Sequence, residues 1–418
     1  MSVGSASPLR WLSRDARLII LARGLRAFGQ GSVAVVIGIY LHLLGFSTIQ
    51  IGLFISAGLA GGAVFAIMVV FVGDTLGRRR LLVLFSLLTA GSALALAVAD
   101  SFALLAAVAF LGSFTATGGA AGGATQPLEQ ASLADAAVPE RRTDLYAVYG
   151  VMGTAGASFG ALAAGLPAVY EAAFGLGELA ALRVVFVTFA GLAALGGLCY
   201  ALLTPSVEAG GGAERWTNPL RLPSRRLIFT LSGLFAVDHF AGGLVVQSLV
   251  SLWFFTRFGV ELTSIGFIFF GSNLLAAISL WVAAKLANRI GLINTMVFTH
   301  IPASLLLIAV PFLPTAWLAA TFWLVRGFFA QMDVPTRQSY TMAVVGPNER
   351  SAMAGINYVS RGVVGTASPS VATLVWTVGA ASIPFVACGV IKIAYDLSLY
   401  FKFRNVKPPE ETRAGRGR

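Results

Sequence analysis

The sequence carries little charge for its length. Of its 418 residues, 11% are Asp, Glu, Lys or Arg, whereas 57% are hydrophobic and the mean hydropathy is +0.82. Soluble domains contain about a quarter charged residues, so this composition excludes a water-soluble globular protein. Long apolar stretches recur from residue 16 to residue 403, and about 20 apolar residues are enough to cross a bilayer. The sequence therefore predicts a polytopic membrane protein.

Reactive residues and nucleotide-binding motifs are scarce as well. The two cysteines, Cys199 and Cys388, lie in apolar stretches and form no metal-ligand spacing or disulfide framework. No G-x-x-x-x-G-K or G-x-G-x-x-G pattern occurs, which argues against direct ATP coupling. The sequence GASFG at 156–160 matches the G-x-S-x-G nucleophile pattern, but it lies in a glycine-rich apolar segment instead of a strand–turn–helix elbow. We predict no enzymatic activity, no metal and no cofactor.

The net charge of +11 indicates topology and not a nucleic-acid partner, because the basic residues separate apolar segments and form no basic domain. If the N-terminus is cytoplasmic, 21 of the 29 Lys and Arg residues fall on the cytoplasmic side. The positive-inside rule then places both termini in the cytoplasm. We expect a multi-pass protein of the cell membrane.

Turn residues and charges divide the chain into twelve apolar segments. We predict an all-α membrane protein with an N-terminal six-helix bundle at 1–204, a cytoplasmic linker at 205–226, a C-terminal six-helix bundle at 227–403 and a cytoplasmic basic tail at 404–418. The twelve segments lie at 16–45, 48–73, 79–100, 102–134, 144–168, 179–204, 227–257, 261–287, 292–313, 315–345, 351–377 and 380–403.

The two halves of the sequence resemble each other at fixed spacing. An offset of 214 residues aligns Gly52 with Gly266 and Gly77 with Gly291, and an offset of 208 aligns Pro127 with Pro335 and Gln130 with Gln338. Parallel repeats of six helices place a substrate site between the halves, near the bilayer midplane.

The sequence VGDTLGRRR at 72–80 resembles the helix 2–3 loop signature of the major facilitator superfamily. Asp74, Gly77, Arg78 and Arg79 match that signature, whereas Thr75 replaces its first basic residue. The resemblance implies a twelve-helix transporter that works by alternating access. It also implies that the loop holds the two halves together in the outward-open state, and we expect Glu129 or Asp135 to pair with one of the loop arginines.

Ionisable residues inside a membrane indicate function, because each is costly to bury. In the sequence FAVDHFAGG at 235–243, Asp238 lies near mid-depth with no basic residue one turn away on its own helix. Its partner must be a proton or a residue of another helix, for which we expect Arg26 or Arg326. We predict a proton-coupling role for Asp238, with His239 as its companion; a static salt bridge is the alternative.

The remaining ionisable residues are assigned by spacing and depth. Asp333 and Arg337 are spaced to pair and form an inner gate, and Lys392 is spaced to neutralise Asp396. The basic excess at mid-depth suits a substrate that is anionic or amphipathic. The predicted substrate cavity contains Arg26, Gln30, Arg326, Tyr358 and Arg361.

The leading prediction is a monomeric, proton-coupled secondary transporter of a small organic solute, whose partners are protons and the lipid bilayer. Export is favoured because the glycine-rich segment at 149–165 resembles the antiporter signature, although it lacks the Gly-Pro pair of that signature. One alternative is an organic-anion carrier that uses Arg26, Arg326 and Arg361. The other is a membrane sensor that transports nothing.

Overall fold

The structure is a computed structural model that describes residues 12–114, 125–136, 142–208, 222–346 and 349–406. The described chain contains sixteen α-helices and two short 3₁₀ helices. Three predicted apolar segments hold two consecutive α-helices, a fourth holds one helix and the start of a second that extends beyond it, and the others hold one helix each. The helices are α1 (Arg14–Leu43), α2 (Thr48–Leu76), α3 (Arg78–Val98), α4 (Phe102–Gly112), α5 (Thr125–Ala136), α6 (Arg142–Ala163), α7 (Leu166–Phe174), α8 (Glu178–Ala201), α9 (Arg225–Gly243), α10 (Gln247–Phe258), α11 (Leu262–Ile290), α12 (Leu292–Ala309), α13 (Ala316–Phe329), α14 (Asp333–Ala343), α15 (Arg350–Val378) and α16 (Ile383–Phe403).

The helices have the length and surface of membrane-spanning elements. Within the described ranges, nine helical stretches are long and apolar enough to cross a bilayer. Large apolar side chains also lie on the outer surface, among them Trp317, Val378 and Val98. Such a surface is stable in lipid and would be costly in water. The predicted all-helical, polytopic architecture is confirmed.

The predicted linker and tail fall mostly on parts of the chain outside the described residues. The linker is described at 205–208 and at 222–226, and the tail at 404–406. The domain boundaries therefore stay predictions.

Four predicted segments are divided into two helices. The division between α9 and α10 follows Gly242 and Gly243, and the division between α13 and α14 lies at 330–332. Pro127 and Pro335 each occupy the third position of a helix, α5 and α14, where the missing proline N–H has no intrahelical partner to lose. Broken helices at membrane depth are found where the backbone lines a cavity or is covered by protein.

The internal repeat is visible in the backbone. Gly77 precedes α3 and Gly291 precedes α12, and both have a φ of +88°. This left-handed conformation is strained for residues with a Cβ atom and available to glycine. The alignment of Gly77 with Gly291 thus corresponds to the same turn in each half.

The two halves pack tightly at one end of the molecule, which we call the distal end because α1 begins and α16 ends at the other, the terminal end. Gly52 on α2 lies so close to α15 that a Cβ atom there would be 1.9 Å from Thr373 Oγ1. On the opposite side, a Cβ atom on Gly266 of α11 would be 2.7 Å from the Ala161 carbonyl oxygen of α6. These aligned glycines therefore allow both pairs of helices to approach backbone to backbone.

Hydrogen bonds reinforce the contact between the halves at the distal end. Ser56 on α2 and Ser370 on α15 are joined through their hydroxyls at 2.7 Å. Ser251 on α10 donates to the Val35 carbonyl of α1 at 2.6 Å. We call these glycine and serine contacts between the halves the distal seal.

Candidate substrate and coupling site

Six buried ionisable side chains form one connected cluster in the second half, which we call the C-half network. They come from four helices that the sequence places far apart, and each is at least nine-tenths buried. The members are Asp238 of α9, His300 of α12, Asp333 and Arg337 of α14, and Lys392 and Asp396 of α16.

Asp238 is the centre of the C-half network. Its Oδ1 lies 2.5 Å from Lys392 Nζ, and its Oδ2 lies 3.2 Å from Arg337 Nη1. Arg337 also pairs with Asp333 at 2.8 Å, as their i,i+4 spacing predicts. One carboxylate therefore joins α9 to both α14 and α16.

The expected partners of Asp238 were wrong. Arg26 bonds to Glu129 within the first half, and the Arg326 guanidinium stacks over the Trp323 ring at 4.6 Å. Within the described chain, Arg326 has no hydrogen-bond acceptor. Asp238 instead pairs inside its own half, because α14 and α16 bring cations to the same depth.

His300 and Asp396 form the second part of the C-half network. His300 Nδ1 lies 3.0 Å from Asp396 Oδ1, while its Nε2 lies 3.5 Å from Lys392 Nζ and 4.0 Å from Asp238 Oδ1. The predicted Lys392–Asp396 pair is wrong, because Lys392 bonds to Asp238 of α9 and Asp396 bonds to His300 of α12. His300 was overlooked, although it is the one ionisable residue in the apolar run of α12.

The first half contains a smaller cluster centred on Glu129 of α5, whose side chain is fully buried. The carboxylate accepts hydrogen bonds from Arg26 of α1 at 2.7 Å, from Tyr149 of α6 at 2.6 Å and from Tyr200 of α8. The guanidinium of Arg23 lies over the Tyr149 ring at 5.2 Å. The expected pair between Glu129 and a loop arginine is therefore wrong, because four helices of the same half enclose this carboxylate.

The signature loop bonds to the segment that follows α8. Glu208 accepts hydrogen bonds from the backbone N–H groups of Arg78 at 2.7 Å and Arg79 at 3.1 Å, at the N-terminus of α3 where a carboxylate is favoured. The Arg79 side chain donates to the Ala201 carbonyl at 2.5 Å. A Cβ atom on Gly77 would lie 3.0 Å from the Glu208 carboxylate. The side chain of Asp74 lies outside the described residues.

His239 and Arg361 meet between α9 and α15. Arg361 Nη2 lies 3.5 Å from His239 Nδ1, and a Cβ atom on Gly365 would lie 2.7 Å from the histidine ring. Tyr358 is exposed on the same helix. Gln30 is buried on α1, and its Oε1 has no donor within the described chain. The predicted cavity residues therefore do not form one group. Arg26 bonds to Glu129 in the first half, whereas Arg361 faces His239 in the second half.

The comparison with protein families decides the identity of this helical fold. The model of the Major Facilitator Superfamily matches residues 19–369, which is most of the chain. The chain belongs to the Major Facilitator Superfamily. It is therefore a multi-pass secondary transporter of a small solute and not an enzyme, and the family and fold that the loop signature implied are confirmed.

The similarity to related proteins covers nearly the whole chain. An uncharacterized membrane protein of Saccharomyces cerevisiae, YJR124C, is 22% identical over 94% of this chain and 95% of its own length. The crystal structure of a nucleoside transporter, NupG, has a TM-score of 0.73 at 16% identity and covers 93% of this chain and 99% of NupG. A bacterial homolog of the human lysosomal transporter Spinster, in an inward-facing and occupied conformation, gives the same TM-score and identity and covers 93% and 96% of the two chains. These structural likenesses show the fold.

Proposed function

We propose that this transporter couples the export of a small organic solute to protons, and that the C-half network is the coupling site. The observation that carries the proposal is the charge balance of that network. It contains three carboxylates but two permanent cations, Arg337 and Lys392, so that one proton makes it neutral. His300 lies between Asp396 and Lys392 and can take up that proton. A net buried charge is costly in a low-dielectric interior.

The count concerns the six side chains that are bonded to one another, and Arg361 lies beside them. Arg361 bonds to none of the six members within the described chain, and its described polar contact is with His239. The groups that face the network are Asp238 and His239 from α9, His300 from α12, Asp333 and Arg337 from α14, Arg361 from α15, and Lys392, Tyr395 and Asp396 from α16.

A change in the protonation of the C-half network can alter the contacts of helices that move during transport. A proton that is lost from the His300–Asp396 pair leaves Lys392 with two competing carboxylates, Asp238 and Asp396. Because Asp238 joins α9 to α14 and α16, a change in its pairing alters the contacts of three helices. Both α9 and α14 adjoin a break in their segment. Two ionic arrangements of one network are the kind of bistable element that alternating access requires.

The conformation of the transporter is consistent with alternating access. The distal seal joins α1, α2 and α6 to helices of the second half. With both termini in the cytoplasm of the cell, as we propose from the loop charges, the sealed distal end faces outward. Export is proposed from the resemblance of the segment at 149–165 to the antiporters.

The proposal is tested with the full-length protein in proteoliposomes that contain a trapped pH-sensitive dye. Solutes are added singly from a metabolite collection, and an imposed pH gradient is then reversed. We expect solute movement to change the internal pH and to follow the gradient. Asp238→Asn and His300→Gln should remove the coupling. Asp100→Asn and His42→Gln serve as matched controls, because Asp100 and His42 are exposed and remote from the network.

Transport that ignores the gradient would refute proton coupling. Coupling that survives in both Asp238→Asn and His300→Gln would refute the assignment to the C-half network. Since either variant could lose stability, coupling is measured only on monodisperse protein and at a temperature well below the unfolding temperature of each variant. Reconstitution in both orientations, distinguished by one-sided labelling, tests the direction.

A further inference from the structure

Arg361 is a cation of the second half that is bonded to no carboxylate within the described chain. The three acids of the C-half network are already bonded to Arg337, Lys392 and His300. Arg361 lies beside this network on α15, and its described polar contact is the nitrogen of an imidazole. An arginine at membrane depth normally has an anionic or carbonyl partner, because the unpaired charge is costly.

The hydrogen-bonding capacity of Arg361 is largely unused. A guanidinium has five N–H donors, but Arg361 Nε is buried without an acceptor within the described residues, and Nη2 lies 3.5 Å from His239 Nδ1. That distance is longer than a good N–H···N or N–H···O bond. Because arginine only donates, the imidazole nitrogen is the acceptor of any hydrogen bond between the two side chains. The planar donors therefore remain available for a bidentate acceptor.

The backbone of α15 holds His239 beside Arg361. A Cβ atom on Gly365 would lie 2.7 Å from His239 Cδ2 and 2.9 Å from Nε2, so the ring fits against the helix because position 365 has no side chain. Tyr358, two turns from Gly365, lies on the same face of the helix and is exposed. The glycine thus fixes the imidazole next to an exposed face of α15.

The position of Arg361 in the bundle suits a solute-binding residue. It precedes Ser370 of the distal seal by nine residues, which is roughly 13 Å along the helix toward the terminal end. Its side chain is partly exposed. Arg361 thus lies in the middle third of α15, and transporters built from such repeats have their substrate site near the bilayer midplane.

We propose that Arg361, positioned with His239, binds the carboxylate of an organic anion that this protein transports. This proposal rests on the proposed transport function and adds the class of substrate to it. The carboxylate would accept two hydrogen bonds from the guanidinium and displace Nδ1 as its acceptor. Uncompensated positive charge at Arg361 is then neutralised when the site is occupied.

The test is a thermal-shift titration of the purified full-length protein with three probes of one shape: benzoate, benzamide and benzamidinium. We expect benzoate alone to raise the unfolding temperature. Arg361→Gln should weaken benzoate binding about tenfold or more, since a charge-assisted hydrogen bond to a carboxylate is lost. Arg361→Lys should retain part of the response, and Gly365→Ala should reduce it by displacing the imidazole. Arg257→Gln is the matched control, because Arg257 is exposed in the last turn of α10, near the distal end.

Three results would overturn the proposal: no response to benzoate, an equal response to benzamide or benzamidinium, or an unchanged benzoate affinity in both Arg361→Gln and Gly365→Ala. An anion bound at Arg361 could be a soluble solute or the headgroup of an anionic lipid. Titration in phosphatidylcholine nanodiscs, with and without phosphatidylglycerol, distinguishes the two. Benzoate binding that phosphatidylglycerol abolishes in an Arg361-dependent manner identifies a lipid headgroup, and unaffected binding identifies a soluble anion. Equilibrium binding needs no pH gradient, so a failure here is distinct from a failure of proton coupling.

Discussion

Glu129 and Arg337 lie 208 residues apart at equivalent positions of the two halves, and their charges are opposite. Glu129 on α5 bonds to Arg26 of α1 at 2.7 Å, and Arg337 on α14 bonds to Asp238 of α9 at 3.2 Å. Helices α1 and α9 begin their respective halves. Each half thus ties its first segment to the inner part of its fourth segment by a buried ion pair, and the polarity of the pair is reversed between the halves.

The Asp238–Lys392 pair predicts a large loss of stability when one partner is removed. Lys392→Met leaves Asp238 with Arg337 alone, and breaking a buried pair in this way typically costs about 3–5 kcal/mol. We therefore expect a clear fall in the unfolding temperature of the purified protein, followed by tryptophan fluorescence. Lys402→Met is the control, because Lys402 lies exposed in the last turn of the same helix.

A double variant distinguishes charge imbalance from lost packing. Asp238→Asn combined with Lys392→Met removes one charge of each sign, so it should be more stable than Lys392→Met alone. A double variant that is as unstable as the sum of the two single variants would mean that the two side chains do not act as a pair.

The Glu129 cluster predicts a smaller and graded effect. Tyr149→Phe and Tyr200→Phe each remove one hydroxyl donor from a fully buried carboxylate, and a hydrogen bond to a charged group is worth about 1.5–3 kcal/mol. Both variants should lower the unfolding temperature, and the double variant should lower it further. Tyr170→Phe should have no effect, since its hydroxyl has no hydrogen-bond partner within the described chain. Equal unfolding temperatures for Tyr149→Phe, Tyr200→Phe and Tyr170→Phe would contradict the hydrogen bonding described around Glu129.

The helices follow from the sequence to a large extent. Hydropathy and turn residues mark the segment ends directly, and the aligned glycines Gly77 and Gly291 identify the same left-handed turn in both halves. The breaks inside four segments were not predicted. They depend on how a helix packs against its neighbours at membrane depth, and the hydrophobic periodicity of a single segment does not predict that packing.

The ionisable residues were found, but most of their partners were not. Spacing of one turn identified Asp333–Arg337, which lies on one helix, and failed for Lys392 and Asp396 on another. The outcome depends on which neighbouring helix each side chain faces, and that follows from helix rotation. His300 illustrates the same point, because a single histidine in an apolar run becomes informative once Asp396 lies opposite it.

Glu349 lies at the terminal end, outside the membrane-spanning helices, and we expect it to make a pH-dependent contribution to the stability of the folded protein. Burial acts to raise the pKa of Glu349, but hydrogen bonds from Ser224 and from the Gly346 N–H outweigh it and lower the pKa below its ordinary value of 4.5. A lowered pKa stabilises the folded state above the unfolded-state pKa, and this contribution disappears as the pH falls through the folded-state pKa. Glu349→Gln should therefore melt at a lower temperature than the unmodified protein at neutral pH.

The difference between Glu349→Gln and the unmodified protein should shrink as the pH falls below about 4.5, because Glu349 progressively takes up a proton and becomes uncharged like the glutamine that replaces it. Glu261→Gln provides the control, because Glu261 precedes α11 without a side-chain hydrogen bond to that helix. A difference that is constant across the titration would show that the Glu349 charge is irrelevant and that only its shape matters.

The distal seal predicts that one added methyl group shifts the transporter toward a state open at the distal end. In Gly52→Ala the new Cβ atom would lie 1.9 Å from Thr373 Oγ1 and 2.8 Å from the Pro369 carbonyl oxygen, and both atoms belong to the other half. Separation of the halves relieves this clash without unfolding either half. With both native cysteines replaced, Ser248→Cys reports the change, because Ser248 is fully buried one turn from Ser251 and lies against Gly38 of α1 in the other half. Maleimide should label it faster in Gly52→Ala than in Gly91→Ala, where a Cβ atom meets nothing within 4 Å. Equal labelling rates, with an unfolding temperature lowered in Gly52→Ala, would mean that the methyl group strains a single half instead of parting the two.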